Sequence, residues 1–304
     1  MTGAISSARA SDVLVRVDGL VKTFGNTRAV RGASFGIASG EIHALCGHNG
    51  AGKSTVVKML SGQESPDEGS IVIDGLVLDL HSRQAAQRSG VALVDQELSV
   101  VPALTVAENL MLGDLQTRWI NRRRRSTERF RTLLNSVGLD HVRLDQPLSE
   151  LGIGERQLVE IARALGQDAR LVILDEPTAT LSDIESEYVY AAVRKVAATG
   201  RAILFVSHRL GEVLDLCDKV TVMRDGQVVA TSDAVELDVD ALILQMLGEA
   251  PRQLDKRESG GRPGSVVASV SALSVPERFQ NVTLSLEAGR AYALAGQLGA
   301  GASD

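Results

Sequence analysis

The sequence predicts an α/β fold, in which helices flank a sheet that contains parallel strands. Three apolar segments, Glu41–Cys46, Leu171–Leu174 and Ile203–Val206, have the length and composition of buried strands. A stretch with helical spacing, Ile184–Ala198, joins the last two, and this strand–helix–strand pattern is typical of a parallel pair. Hydrophobic residues make up 44% of the chain but aromatic residues only 3%, so aliphatic side chains must build the core.

The first part of the chain adds strands and one helix to this pattern. Val13–Val17 alternates in polarity and is predicted to be an edge strand. Glu41–Cys46 continues into a glycine-rich turn and then a helix from Lys53 to about Leu60. Ser70–Asp74 and Val91–Val94 are predicted to be further strands.

Helical spacing replaces strand signals between about residues 98 and 165, which predicts a helical subdomain inserted into the α/β domain. Apolar segments of strand length then return after residue 165. Asp225-Gly226 lies between two apolar segments and is a strong hairpin signal. Leu237–Leu247 has the pattern of a closing helix.

The last part of the chain predicts a second unit. Residues 250–265 are polar and rich in Gly, Pro and charge, so we expect a linker there. It would join a first domain, residues 11–249, to residues 266–304. Strands are predicted in this last segment at Val266–Ser269, Val282–Leu286 and Ala291–Ala295.

Composition and charge argue against several classes of function. The formal net charge is −6, whereas a general nucleic-acid binder needs a basic face, so no nucleic-acid partner is expected. Cys46 and Cys217 belong to no CxxC pair and are expected to be buried, reduced thiols. The N-terminus lacks the features of a signal peptide, and no apolar run approaches the about 20 residues of a membrane helix. Any role at a membrane is therefore expected to depend on a partner.

Residues 47–55 carry a phosphate-binding motif. The segment matches the pattern G-x-x-x-x-G-K-[ST], with a predicted strand before it and a predicted helix after it. Glycines let backbone N–H groups point at phosphates, and the helix N-terminus adds partial positive charge. Lys53 is expected to reach the β- and γ-phosphates of ATP, and the Ser54 hydroxyl to bind Mg²⁺. The residues predicted to contact the nucleotide are Gly47, His48, Asn49, Gly50, Ala51, Gly52, Lys53, Ser54 and Thr55.

A second motif is the apolar strand Leu171–Leu174, which ends in the two carboxylates of Asp175 and Glu176. A buried strand would hold Asp175 rigidly beside the phosphate-binding loop, where it can bind Mg²⁺ through water. Glu176 is then placed to polarise an attacking water molecule. Together the two motifs predict hydrolysis of a bound nucleotide.

With these motifs the chain resembles the ATP-binding subunits of ABC transporters, and above all the tandem-domain ATPases of simple-sugar importers of the ribose, xylose or galactose type. The likeness covers residues 13–304 and is weaker beyond residue 250. It implies a P-loop NTPase core with a mixed sheet and an inserted helical subdomain, followed by a partial second copy. Five further segments carry it in the family's order: Lys22-Thr23-Phe24, Asp95-Gln96-Glu97, Leu104–Leu110, Leu151–Gln157 and Ser207-His208-Arg209.

The resemblance also implies roles for individual residues. Phe24 would stack on the adenine ring, Gln96 would contact Mg²⁺ and the attacking water, and His208 would reach the γ-phosphate. The implied catalytic residues are Glu176, His208 and Gln96. The implied metal-binding residues are Ser54, Gln96 and Asp175.

Two positions depart from the family pattern. The family's signature motif reads L-S-x-G-x-x-Q, and here Gly152 replaces the serine while Gly154 and Gln157 are kept. These three positions would contact ATP held by an opposing domain, and the loss of one hydrogen bond to a charged group costs about 1.5–3 kcal/mol. The outline of a second phosphate loop, Gly296–Ser303, carries Ala302 in place of the lysine.

Head-to-tail pairing, as in the family, would bring both departures to one composite site. The Gly152 motif would face the loop at Ala302, whereas the loop at Lys53 would face a signature motif that residues 266–304 lack. We therefore expect those residues to be the truncated start of a second domain. A second ATPase domain in trans, or a homodimer that uses Gly152 at both sites, would complete the pairing. Weak hydrolysis by the isolated chain is expected.

The resemblance finally implies a peripheral subunit on the cytoplasmic face of the cell membrane. It would dock on membrane permease subunits through the surface around Gln96 and the helical subdomain, with an extracytoplasmic substrate-binding protein outside. The solute would be a simple sugar. Two alternatives stay open: a nucleotide-binding chain with little turnover, and a soluble ABC ATPase acting on ribosomes or nucleic acid.

Overall fold

The structure, a computed structural model, describes residues 13–78, 82–96, 98–112, 123–248, 264–275, 279–290 and 292–293. The chain forms two compact units, Met1–Pro251 and Arg252–Asp304. All helices of the described residues belong to the first unit. None of these helices has the length and apolar character needed to cross a membrane.

The first unit is built from strands and helices that alternate along most of its length. Its strands are β1 (Val13–Phe24), β2 (Thr27–Ala38), β3 (Ile42–Cys46), β4 (Glu68–Ile73), β5 (Leu76–Val77), β6 (Val91–Val94), β7 (Leu171–Asp175), β8 (Ala202–Val206), β9 (Lys219–Arg224) and β10 (Gln227–Asp233). Its helices are α1 (Lys53–Leu60), α2 (Arg83–Arg88), α3 (Val106–Met111), α4 (Arg123–Ser136), α5 (Ile153–Leu165), α6 (Asp183–Ala197), α7 (Leu210–Leu216) and α8 (Val239–Leu247).

A mixed six-stranded sheet forms the centre of this unit, in the order β10-β9-β3-β8-β7-β6. β9, β3, β8, β7 and β6 are parallel, and β10 pairs antiparallel with β9 through the predicted Asp225-Gly226 hairpin. β7 and β8 are joined by α6 and lie side by side, as the strand–helix–strand pattern predicts.

Two apolar clusters cover the two faces of the six-stranded sheet. Phe205 faces one cluster, with side chains of α5 and α6. Leu204 faces the other, with side chains of α1 and of the small antiparallel sheet. Because both faces of the sheet are buried, β3, β7 and β8 are almost continuously apolar. This composition is why these three strands could be predicted from the sequence.

The second sheet has the order β2-β1-β4-β5, which corrects one sequence-based expectation and includes one strand that was not predicted. β1 pairs with both β2 and β4, so the prediction of an edge strand at Val13–Val17 was wrong. Alternating polarity reports that one face is exposed and says nothing about the number of neighbouring strands. β2, Thr27–Ala38, was not predicted, because register shifts and interspersed glycines blur its alternation.

Helices dominate the described residues between β6 and β7. α5 carries a broad apolar face, with Leu158, Ile161 and Leu165 all buried in the cluster that covers β8. It packs against α3, α4 and α6. This region agrees with the helical spacing read between residues 98 and 165, although residues 113–122 lie outside the described part of the chain.

The second unit contains an antiparallel hairpin, β11 (Val266–Val275) and β12 (Phe279–Glu287). Two of the predicted strands, Val266–Ser269 and Val282–Leu286, lie within it. The third, Ala291–Ala295, lies outside the described residues apart from residues 292 and 293. The predicted linker, 250–265, likewise lies outside them apart from residues 264 and 265.

We predict that Phe205 is a main contributor to the stability of the first unit, because it is a large side chain with no exposed surface. Phe205→Ala should lower the free energy of unfolding by about 3–5 kcal/mol. Val235→Ala, at a position that is 93% exposed, should change it by less than about 0.5 kcal/mol. Urea unfolding followed by circular dichroism measures both, and equal losses would contradict the packing described here.

Candidate functional site

The predicted phosphate-binding loop joins the fully buried strand β3 to α1. A Cβ atom added at Gly47 would lie 2.4 Å from the carbonyl oxygen of Met223 in β9. A Cβ atom at Gly52, whose φ is 102°, would lie 2.7 Å from the carbonyl oxygen of Ala29 in β2. Both positions therefore require glycine, and the loop is held between the two sheets.

Lys53 spans the mouth of this loop. Its Nζ donates to the carbonyl oxygens of Gly47 at 2.7 Å and His48 at 3.2 Å. Burial lowers the pKa of Lys53, and the charges of Glu176 and Asp175 oppose that shift. The ammonium group of Lys53 thus lies close enough to the carboxylates of Asp175 and Glu176 for their charges to affect its pKa.

The remaining residues of the loop are more open. Asn49, Gly50 and Ser54 are exposed, and Thr55 is partly buried. The side chain of His48 is 36% exposed, and its Nδ1 lies 2.7 Å from the carbonyl oxygen of Asn49. Ala51, by contrast, is buried in the core beneath the loop.

Asp175 is the last residue of β7. Burial raises the pKa of this carboxyl group, and the nearby charges of Glu176 and Asp95 raise it further, while Lys53 lowers it. A half-buried carboxyl group among other anions is stabilised in its ionised form by a cation, which suits the predicted role in Mg²⁺ binding.

Glu176 is the meeting point of three chain segments. Its Oε2 accepts a hydrogen bond from Nε2 of Gln96 at 3.0 Å, and its Oε1 lies 3.1 Å from Nδ1 of His208. The Glu176 side chain is 23% exposed and that of His208 is 63% exposed. The structure therefore brings together all three predicted catalytic residues.

Their convergence follows from the sheet. Gln96 follows β6, Glu176 follows β7 and His208 follows β8, and these are three adjacent parallel strands. The carboxyl ends of parallel strands lie at one edge of a sheet, where ligands bind in α/β folds. The loop after β3, the next strand in the sheet, opens at the same edge.

Phe24 lies at the end of β1 with 44% of its surface exposed. Nζ of Lys22 lies 5.4 Å from the centroid of its ring. The hairpin that carries Phe24 approaches the phosphate loop through Ala29, which contacts the backbone at Gly52. An exposed aromatic ring at the tip of this hairpin is available for stacking.

The three signature positions lie at the start of α5. The N–H of Gly152 donates to Oε2 of Glu155 at 3.0 Å, and the N–H of Gly154 donates to Oε1 of Glu185 at 3.4 Å. Gln157 is only 5% exposed, and its Nε2 has no hydrogen-bond partner among the described residues. Within the described part of the chain, the side-chain partners of Gly152 and Gly154 lie on α5 and α6, so the structure does not bring the signature positions into the cluster around Lys53.

One feature of the site, the part played by Asp95, was not predicted. Asp95 contributes to the raised pKa of Asp175 and accepts a hydrogen bond from Nη2 of Arg83 at 3.2 Å. The position of Asp95 next to Gln96 is the only signal in the sequence that could have suggested its effect on Asp175. Glu97, the last residue of that motif, and the second loop Gly296–Ser303 with Ala302 lie outside the described residues.

Both cysteines are buried and free, as expected. Cys46 ends β3, directly beneath the phosphate loop, and burial raises the pKa of its thiol to about 12. Burial also raises the pKa of Cys217. A thiol with a raised pKa forms little thiolate near neutral pH and is therefore unreactive.

Residues 30–179 match the family model described as ABC transporter. The chain contains an ABC transporter ATP-binding domain. Two solved structures share the fold of this ABC domain: a nucleotide-free ATP-binding cassette from an ABC transporter, and a second cassette in its ADP conformation. Both are 27% identical in sequence and cover 78% of this chain, with TM-scores of 0.68 and 0.69; the match covers 96% and 99% of those structures.

Curated relatives of the ABC domain include sugar import proteins. A ribose import ATP-binding protein of Rubrobacter xylanophilus is 43% identical over 96% of this chain and 59% of its own length. An arabinose import ATP-binding protein of Burkholderia ambifaria is 40% identical over 98% of this chain and 58% of its own length. The chain thus spans less than two thirds of the length of these relatives.

We predict that Asp175 weakens the fold at neutral pH. A carboxyl group with a raised pKa binds its proton more tightly in the folded state, so its ionisation opposes folding as the pH rises. Asp175→Asn should raise the melting temperature of the nucleotide-free protein at pH 8 by on the order of 2 °C, and the difference should shrink as the pH is lowered towards 4. Differential scanning fluorimetry across this range measures it.

The matched control is Asp215→Asn, at an exposed position on α7. It removes the same charge from the surface and should leave the melting temperature unchanged at either pH. A stabilisation by Asp175→Asn that is equal at pH 4 and pH 8 would contradict the electrostatic cause.

Proposed function

We propose that the chain binds ATP at the loop of residues 47–55. The backbone N–H groups of the loop and the N-terminus of α1 would hold the phosphates, with Lys53 on the β- and γ-phosphates. At present Lys53 Nζ is bonded to two carbonyl oxygens of the loop, and phosphate oxygens would replace these partners. Phe24 would stack on the adenine ring.

We propose Mg²⁺ as the cofactor. No group of three or more His, Cys, Asp or Glu side chains in the described part of the chain could hold a metal ion unaided. Mg²⁺ in nucleotide enzymes needs only one or two carboxylates, because phosphates and water complete its shell. Ser54, Asp175 and Gln96 fit that donor set, and the positive charge of Lys53 already lowers the pKa of Asp175, as a bound cation would. When bound, the ion neutralises charge on the phosphates.

Hydrolysis is the reaction that this site supports best, and the contact of Glu176 with both Gln96 and His208 carries the proposal. Glu176 is the base that accepts a proton from the attacking water. Gln96 and His208 hold opposite oxygens of its carboxylate, so the side chain is oriented before water arrives. The ring of His208 is largely exposed, so it would reach the γ-phosphate while its Nδ1 stays beside Glu176.

We further propose that this hydrolysis drives import of a solute, for which a simple sugar is the candidate. The relatives of Rubrobacter and Burkholderia are named for ribose and arabinose import. The chain would act at the cytoplasmic face of the membrane, bound to permease subunits, with an extracytoplasmic substrate-binding protein outside. The acidic net charge argues against a nucleic-acid partner.

The surface next to Gln96 is the proposed docking site for the permease. A cavity of about 270 Å³ lies there between α2, β6 and α5. Arg83, Ser99, Glu160 and Arg163 supply much of its polar lining. Arg83 donates a hydrogen bond to Asp95, and the next residue, Gln96, donates one to Glu176. A partner bound in this cavity would therefore be linked to Glu176 through these contacts.

We also propose that residues 266–304 begin a second copy of the ABC domain. The β11–β12 hairpin resembles the β1–β2 hairpin, and both have a bulge in their first strand. At this bulge one residue has a positive φ: Gly19 in β1, at 58°, and Ala272 in β11, at 50°. Gly296 lies ten positions after Leu286, as Gly47 lies ten positions after Ile37. The matched pairs are Val15–Ile37 with Ala268–Leu286, Val17–Phe35 with Val270–Leu284, and Leu20–Ala33 with Leu273–Val282.

In this arrangement a second ATPase domain, in trans or from a homodimer, would complete the site at Lys53. A signature motif from a domain in trans would face Lys53, and in a homodimer Gly152 of each copy would face Lys53 of the other copy. The exposed Gly152 and the α5 N-terminus are compatible with such a partner.

The test of hydrolysis is Glu176→Gln. We expect it to lower Mg²⁺-dependent phosphate release by about 10²–10⁴-fold and to leave the affinity for a fluorescent ATP analogue within about twofold, because the phosphate loop is untouched. The control is Glu187→Gln, at an exposed position on α6, which should change neither. Equal phosphate release by wild type and Glu176→Gln, with ATP still bound, would favour the alternative of a nucleotide-binding chain with little turnover.

The missing hydroxyl at Gly152 gives a second prediction. Gly152 has φ −62° and ψ 164°, and a Cβ atom there would have Oε2 of Glu155 as its nearest neighbour, at 3.8 Å, so serine fits without strain. In a homodimer, in which Gly152 of one copy would face Lys53 of the other, Gly152→Ser should raise turnover by about tenfold or more, as one hydrogen bond to a charged phosphate predicts. Gly152→Ala adds the Cβ atom without the hydroxyl, and equal rates for the two variants would exclude the hydroxyl as the cause.

A further inference from the structure

Glu212, on α7, is a nearly buried carboxylate outside the proposed nucleotide site, with 9% of its side chain exposed. Its Oε2 accepts hydrogen bonds from Oγ1 of Thr178 at 2.7 Å and Oγ of Ser207 at 3.1 Å. Its Oε1 lies 2.6 Å from Nη1 of Arg209. Burial and the nearby Glu212 carboxylate both raise the pKa of Tyr190, on α6. The carboxylate of Glu212 thus accepts hydrogen bonds from three side chains of two separate chain segments.

These donors belong to the two segments that carry Glu176 and His208. Thr178 is two residues beyond Glu176 and is 1% exposed. Ser207 and Arg209 lie immediately before and after His208. Glu212 therefore accepts hydrogen bonds from both the loop after β7 and the loop after β8, and these two loops carry the Glu176–His208 contact of 3.1 Å.

The sheet itself does not hold these loops. The β7–β8 ladder ends at the pair Asp175–Val206, and the N–H of Glu176 makes the last backbone bond, to the carbonyl oxygen of Val206 at 2.8 Å. Glu176 then turns into the left-handed region, at φ 49°. Beyond that turn, alignment of the two segments depends on side chains.

Arg209 extends the same connection to α6. Its Nη2 lies 3.2 Å from Oδ1 of Asp183, the first residue of that helix, and its backbone N–H donates to Oγ of Ser207 at 3.0 Å. The guanidinium group therefore bridges Glu212 and the start of α6.

We propose that Glu212 is a positioning residue for ATP hydrolysis, which keeps Glu176 and His208 in contact without touching the nucleotide. The inference rests on the proposed function. A misplacement of about 1 Å at reacting groups costs about 10²-fold in rate. Loss of Glu212 removes the acceptor that three donors share, so the loops after β7 and β8 are no longer fixed to each other.

The kinetic test separates positioning from nucleotide binding. Glu212→Ala should lower Mg²⁺-dependent phosphate release by about 10–100-fold and change the affinity for a fluorescent ATP analogue by less than about twofold. Glu212→Gln, which keeps an acceptor oxygen, should lie between wild type and Glu212→Ala. Asp215→Ala, which removes an exposed carboxylate from the same helix, should match wild type.

A double-mutant cycle adds a stricter requirement. In a Glu176→Gln background the alignment of residue 176 with His208 no longer serves catalysis, so Glu212→Ala should produce little further loss of phosphate release. Fully additive losses would assign Glu212 a role independent of Glu176 and would overturn the proposal.

A spectroscopic readout works without turnover. The chain has five histidines, so the ring resonance of His208 can be assigned in an NMR spectrum of the nucleotide-free protein by comparison with His208→Gln. Glu212→Ala should shift this resonance, and Asp215→Ala should not. Thr178→Val and Ser207→Ala each remove one donor and should shift it in the same direction, which covers the case in which Glu212→Ala does not fold.

An unmoved His208 resonance in folded Glu212, Thr178 and Ser207 variants would overturn the proposal. If the wild-type chain shows no phosphate release that depends on Glu176, the proposed function fails instead. The resonance comparison still decides whether Glu212 aligns the two loops.

Discussion

The site depends on the parallel alignment of β6, β7 and β8. Because these strands run in one direction and are hydrogen-bonded side by side, Gln96, Glu176 and His208 leave the sheet at the same edge, although they are far apart in the sequence. The strands are buried on both faces, so a shift of register would displace large apolar side chains such as Phe205. The geometry of the carboxylate is thereby tied to the stability of the core.

Much of this arrangement could be predicted because the relevant signals are local. Buried parallel strands are apolar runs, the phosphate loop is a glycine pattern between a strand and a helix, and Asp225-Gly226 specifies its own hairpin. The three residues Gln96, Glu176 and His208 were predicted through the family resemblance, and the structure places both Gln96 and His208 against the carboxylate of Glu176. Their chemical roles stay predictions.

The parts that were missed depend on long-range pairing. The two neighbours of β1 and the existence of β2 are decided by which strands meet, and polarity patterns do not report this. Glu212 has no motif around it, and its importance lies in donors that are 34 and 5 residues away, Thr178 and Ser207. Asp95 likewise gains its effect on Asp175 only when β6 lies beside β7.

The burial of Cys46 and Cys217 makes the natural chain a useful background for site-specific labelling. Their thiols are enclosed and hold their protons, so maleimide or nitroxide reagents will react with them slowly. A cysteine introduced at an exposed position would then carry the only fast-reacting thiol among the described residues. Distances between such labels, on the helical region and on the hairpin near Phe24, can follow how the domain closes on a nucleotide without removing either native cysteine.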